Sequence, residues 1–127
     1  MANLNLLFTC PHGGKDVLPN QSLLRKSANY PSSCKECEKF ELDSDLCTME
    51  LTESIATNIV NFTGKQVYTQ IAQTNRDYID FNREIECAIE PSNDKTAENM
   101  YHDYHKRILK IIQQMPYQNE RGSTFSI

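Results

Sequence analysis

The chain has 127 residues, enough for one domain that buries roughly two-thirds of its unfolded surface. Its 39% hydrophobic and 24% charged residues are the balance of an ordinary globular protein, and a net charge of −4 argues against a nucleic-acid binder, which would normally carry a basic stripe. No apolar run approaches the ~18 residues of a membrane span, and the N-terminus lacks a basic segment followed by an apolar core, so the expectation is a cytoplasmic protein with no membrane partner. In that setting five cysteines read as free thiols, and their odd number speaks against a complete disulfide framework.

Leu4 to Thr9 is nearly continuous apolar sequence, the pattern of a strand buried on both faces. It runs into Cys10-Pro11-His12-Gly13-Gly14, a turn whose glycines admit close backbone approach beside the histidine. Residues 11–43 then read as a long loop, with Pro11, Pro19 and Pro31 and only Leu23-Leu24 offering a helical turn. A loop of that length in a compact domain implies a task such as covering a site.

Ser44 is placed to cap a helix with Asp45 in its first turn. Leu51, Ile55, Ile59 and Phe62 form its apolar face, and Gly64 ends it. Gln66 to Gln73 alternates as a second strand, and Tyr78-Ile79-Asp80-Phe81 reads as a brief third. Pro91 to Asp94 leads into a last helix, where Ala97, Tyr101, Tyr104, Ile108, Ile111 and Met115 step by four and three along one stripe. The expected organisation is one domain over residues 1–115 and a polar, flexible tail over 116–127. Strands alternating with helices give an α/β class with a parallel or mixed sheet.

Chemistry concentrates in two stretches. His12 stands at the end of a strand, where open α/β sheets place ligands, and a neutral imidazole there suits zinc. Asp45 and Asp16 are the acidic candidates for a second ligand. Arg76, Asp80, Asn82 and Arg83 form the other group; two arginines beside an Asp and an Asn could clamp a carboxylate. In an extended segment Asp80 and Asn82 would share one face and Arg83 the other. His102 and His105, with Asp103, sit three apart on the last helix and read as helix surface before they read as a metal pair. Cys34-Lys35-Glu36-Cys37 with Cys47 is a rival zinc set, but no second CxxC completes it.

Pro11-His12-Gly13-Gly14, then Ser44-Asp45 with Thr48 and Leu51, then Arg76 and Asp80-Phe81-Asn82-Arg83, followed by Tyr101 and Tyr104-His105, resembles the N-formylglutamate amidohydrolase family in residue types and order. The resemblance covers about residues 4–115. It implies a fold related to the zinc carboxypeptidases, a mixed sheet between helices with a metal at strand ends. It also implies hydrolysis of the amide bond in a small acidic N-acyl amino acid such as N-formylglutamate. On that analogy His12 and Asp45 hold the zinc, and Arg76, Asn82 and Arg83 receive the substrate carboxylate or the developing oxyanion. The family pattern continues to a later strand ending in Asp-x-His; here Asp103-Tyr104-His105 has those letters but falls on the last helix, and Gln113–Ile127 offers no replacement strand. The expectation is therefore the N-terminal part of such a hydrolase, C-terminally truncated, with weak or absent turnover and an open sheet edge that invites self-association. The alternatives are a non-catalytic carboxylate-binding module and a zinc-stabilised interaction domain built on the cysteines.

Overall fold

A computed structural model of the chain describes residues 3–30, 33–36, 45–115 and 123–126. The first strand, β1, spans Asn3–Cys10, and Leu7, Phe8, Thr9 and Cys10 are all buried in succession. That is what a continuous apolar run requires of a strand flanked on both edges and covered on both faces. β1 is the central strand of a three-stranded sheet of order β2-β1-β3, with parallel pairing on both sides. Among the described residues the sheet is thus parallel, one of the two forms that the alternation of elements allows, and not the mixed sheet that the resemblance implies.

A four-residue turn of helix, α1, covers Ser33–Glu36. The longer α2 follows at Thr48–Thr63, crosses over from β1 to β2 (Gln66–Ile71) and packs on both strands. Gly64 ends it in the left-handed conformation at φ 71°, donating to Val60 O, as its sequence position implies. The start of α2 differs from expectation. Ser44 lies outside the described residues, and Asp45 precedes the helix by three positions instead of sitting in its first turn. The packed face also differs: Thr52 is buried, while Leu51 is half exposed and Phe62 almost fully so. Periodicity fixes which residues share a stripe, but the sheet selects the stripe one step around.

Tyr78 to Phe81 does not form a strand. It belongs to a series of turns with a single bridge between Ile79 and Ile89. Alternating polar and apolar residues are satisfied here by a turn, because Asn75 accepts from Tyr78 N and, with its side chain, from Asp77 N. A short helix, α3, spans Ile85–Ala88, and α4 spans Thr96–Gln114. Asp94 accepts from the backbone and hydroxyl of Thr96 and from Asn20 Nδ2, which holds its carboxyl down at about 2. The expected α4 stripe packs inward, with Ala97, Tyr104 and Met115 buried and Tyr101, Ile108 and Ile111 partly so.

The main core joins α4 to the turns. Leu18, Leu23, Ala72, Tyr78, Ile79, Phe81, Ala97 and Tyr104 form one cluster, and the Phe81 and Tyr104 rings lie 4.5 Å apart. Leu18 and Leu23 come from the described part of the long loop, residues 11–30, which packs against the core as a strap. Backbone bonds from Asp16 N to Gln73 O and from Asn75 N to Asp16 O, both 2.8 Å, start it along the end of β2. Leu23 sits in the one helical turn that the sequence offers.

Two further expectations are corrected. Ser123–Ser126 forms β3, pairing in parallel with Leu6–Thr9, where a flexible tail without a strand was expected. Four polar and aromatic residues give no usable pattern by themselves; only the exposed edge of β1 selects them. Cys34 and Cys87 are joined in a disulfide, so the set of five free thiols is reduced, and Cys34 is withdrawn from any zinc set with Cys47. Cys10 is a buried free thiol and Cys47 an exposed one, while Cys37 lies outside the described residues.

Candidate functional site

β1 delivers the Pro11–Gly14 turn to the carboxyl end of the sheet, and His12 is buried there. Both glycines are needed for close approach. A Cβ on Gly13 would meet Thr48 Oγ1 at 2.5 Å, Met49 N at 2.8 Å and Cys10 Sγ at 2.9 Å. A Cβ on Gly14 would overlap the carbonyl of Gln73 and lie 2.5 Å from Ala72 O. The turn is therefore wedged between the start of α2 and the end of β2, which fixes the imidazole.

Asp45 is brought to His12 by its own backbone. Asp45 N donates to His12 O at 3.0 Å, and Thr48 Oγ1 donates to Asp45 O at 3.0 Å. Between them Cys47 takes the left-handed conformation at φ 65°, a geometry that costs a non-glycine residue on the order of 1 kcal/mol or more. The bend turns the chain back so that Asp45 Oδ2 stands 3.4 Å from His12 Nδ1. Of the two acidic candidates, Asp45 is thus the one beside His12. Asp16 is exposed and is engaged through its backbone.

On the other side of the ring, His12 Nε2 lies 2.6 Å from Asp80 Oδ1. Asp80 is fully buried and is the hub of the site. Its Oδ2 accepts from Arg76 Nε at 3.1 Å and lies 3.5 Å from Arg83 Nε, while Asn82 N donates to Oδ1 at 3.0 Å. Burial alone would push this carboxyl up. The hydrogen bond to His12, the attraction of His12 and Arg76 and the Asn82 N–H outweigh it and hold the carboxyl well below the usual range. The turn itself is anchored by Asp80 N donating to Ala88 O at 2.9 Å and by Tyr101 Oη donating to Arg83 O at 2.6 Å.

Of the expected substrate-binding residues, Arg76 and Arg83 converge on Asp80, and Asn82 reaches the cluster through its backbone with an exposed side chain. The division of Asp80 and Arg83 onto opposite faces does not hold, because a turn and not a strand carries them. Asp80 is the residue to which sequence reasoning assigned too little. Its signal was present, an acid between two arginines, but the histidine it holds is 68 positions away.

A neutral imidazole has one N–H. If Nε2 gives it to Asp80, Nδ1 presents its lone pair toward Asp45 Oδ2 at 3.4 Å. Zinc bonds of ~2.0–2.2 Å in tetrahedral geometry separate two ligand atoms by ~3.3–3.5 Å. His12 and Asp45 therefore fit two ligand positions, with Asp80 as the carboxylate that orients a metal-binding histidine. Among the described residues no group of three His, Cys, Asp or Glu side chains is assembled for a metal. His102, Asp103 and His105 are exposed on α4, where the two histidines make ring contacts with Tyr101 and Tyr104.

In comparisons with known proteins, no family model, no curated protein and no solved structure matches the chain.

Proposed function

We propose that the chain is a zinc-dependent amidohydrolase domain acting on small acidic N-acyl amino acids, as its resemblance to N-formylglutamate amidohydrolases suggests. The observation that carries the reading is the imidazole of His12, set between the buried Asp80 at 2.6 Å and Asp45 at 3.4 Å. His12 and Asp45 would hold the metal. When bound, zinc supplies an activated water and polarises the amide carbonyl.

The remaining work falls to the chain. Asp80 fixes the ring so that Nδ1 faces Asp45, and the Thr48 hydroxyl fixes the Asp45 backbone. Arg76 and Arg83 both meet the Asp80 carboxylate, and guanidinium groups of this kind recognise the carboxylate of an acidic ligand. Arg83, with a quarter of its side chain exposed, is the better placed to meet the substrate carboxylate; Arg76 lies deeper. Asn82 stands at the exposed rim.

Zinc stoichiometry on purified wild type and His12→Ala tests the reading. The expected result is near one zinc per chain, lost in the variant; zinc absent from both, or retained in both, overturns the metal assignment. Arg83→Ala should abolish binding of an N-formyl amino acid without removing zinc. Binding that depends on Arg83 in a zinc-free chain would leave the non-catalytic carboxylate-binding module.

A further inference from the structure

The strap that crosses the Asp80 turn is fastened to it at several points. Arg25 is buried; its backbone N donates to Asp77 O at 2.8 Å, Nη1 to Arg76 O at 2.9 Å and Nη2 to Cys87 O at 3.2 Å. Lys26 N donates to Glu90 Oε2 at 2.8 Å, and Asn29 Nδ2 to the other oxygen of the same carboxylate. The Cys34–Cys87 disulfide closes the row, tying α1 to α3 across 53 positions of sequence. The neighbour of Cys87 is Ala88, whose carbonyl accepts from Asp80 N. One covalent bond thus stands a single residue from the hydrogen bond that anchors the hub of the His12 site. Both cysteines are half-buried and not sealed in the core.

We propose that the Cys34–Cys87 disulfide is a redox latch that holds the strap on α3 and, through it, the Asp80 turn beneath His12. A dithiol opens it in two exchanges. One thiolate attacks a latch sulfur and breaks the S–S bond, forming a mixed disulfide. The second thiolate of the reductant then displaces the protein sulfur. The reductant leaves as its own disulfide, and Cys34 and Cys87 remain as two thiols that have received two electrons and two protons. The open form keeps the strap's core packing and the polar bonds of Arg25, Lys26 and Asn29 but loses the covalent tie to α3, which becomes freer to shift. Asp80 then loses its fixed anchor to Ala88, and His12 its fixed partner. The loosening of the turn is independent of what His12 binds; its effect on zinc rests on the function proposed above.

Residue-resolved amide hydrogen exchange on the full chain tests the latch. The samples are a Cys37→Ser chain, which removes a neighbouring thiol from exchange, oxidised and treated with dithiothreitol, and the Cys34→Ser/Cys87→Ser double variant. The Asp80 and Asn82 amides should exchange about tenfold faster or more in both open forms, while Thr52 and Ile55 in α2 change less than about twofold. Unchanged exchange at Asp80 overturns the latch. Equal acceleration in α2 also overturns it, since the disulfide would then be a global staple. The double variant should further bind zinc about 10–100-fold more weakly than the oxidised chain, the usual cost of losing a partner behind a metal ligand. If no form binds zinc, the exchange result still decides the latch, and it is the zinc assignment that falls.

Discussion

Asp80→Asn isolates the central electrostatic element of this structure. The variant keeps the side-chain shape but replaces a fully buried anion with a neutral amide, beside Arg76 Nε at 3.1 Å and His12 Nε2 at 2.6 Å. Because Asp80 and Arg76 are both buried, solvent does little to screen the loss, and removing one partner of such a pair costs about 3–5 kcal/mol. For a chain of this size about 1 kcal/mol corresponds to ~4 °C, so the melting temperature at pH 7 should fall by ~12–20 °C. The pH dependence sharpens the test. The folded carboxyl titrates below its unfolded counterpart of ~3.9, so its contribution is full above that pH and is lost as pH falls through the folded value. Through this carboxyl the gap between wild type and Asp80→Asn should narrow as pH falls below about 4. Thermal melts of both proteins from pH 2 to pH 8 measure this. A fall below ~4 °C at pH 7, or a gap that does not narrow between about pH 4 and pH 2, would show that the hub is not a stabilising ion cluster.

Two other substitutions probe the placement of the site and its packing. Gly14→Ala sets a Cβ against the backbone of Gln73 and Ala72, neither of which is a flexible side-chain end, so urea denaturation should show a loss of about 1–3 kcal/mol or more. A neutral outcome would mean that the turn is not wedged against β2. Phe81→Ala removes the ring that packs on Tyr104 at the centre of the core and should cost about 3–5 kcal/mol in the same assay, while a loss under ~1 kcal/mol would place the core elsewhere.

The sequence by itself determined the elements that carry a regular apolar pattern of their own. β1, the inward stripe of α4 and the glycine end of α2 follow from residue order, since local periodicity and a glycine at positive φ leave few other solutions. The placement of His12 at the end of the sheet was also legible, from its position after a buried strand and before two glycines. Other features depend on partners far away in the chain. Asp45 reaches His12 only through the Cys47 bend, and Asp80 meets the imidazole only because a turn, and not the expected strand, carries it. The pairing of Cys34 with Cys87 and of Ser123–Ser126 with β1 likewise has no local signature. A hydrogen bond, a disulfide or an edge pairing is a property of two segments at once. One sequence shows what each segment offers, and tertiary packing decides which offers meet.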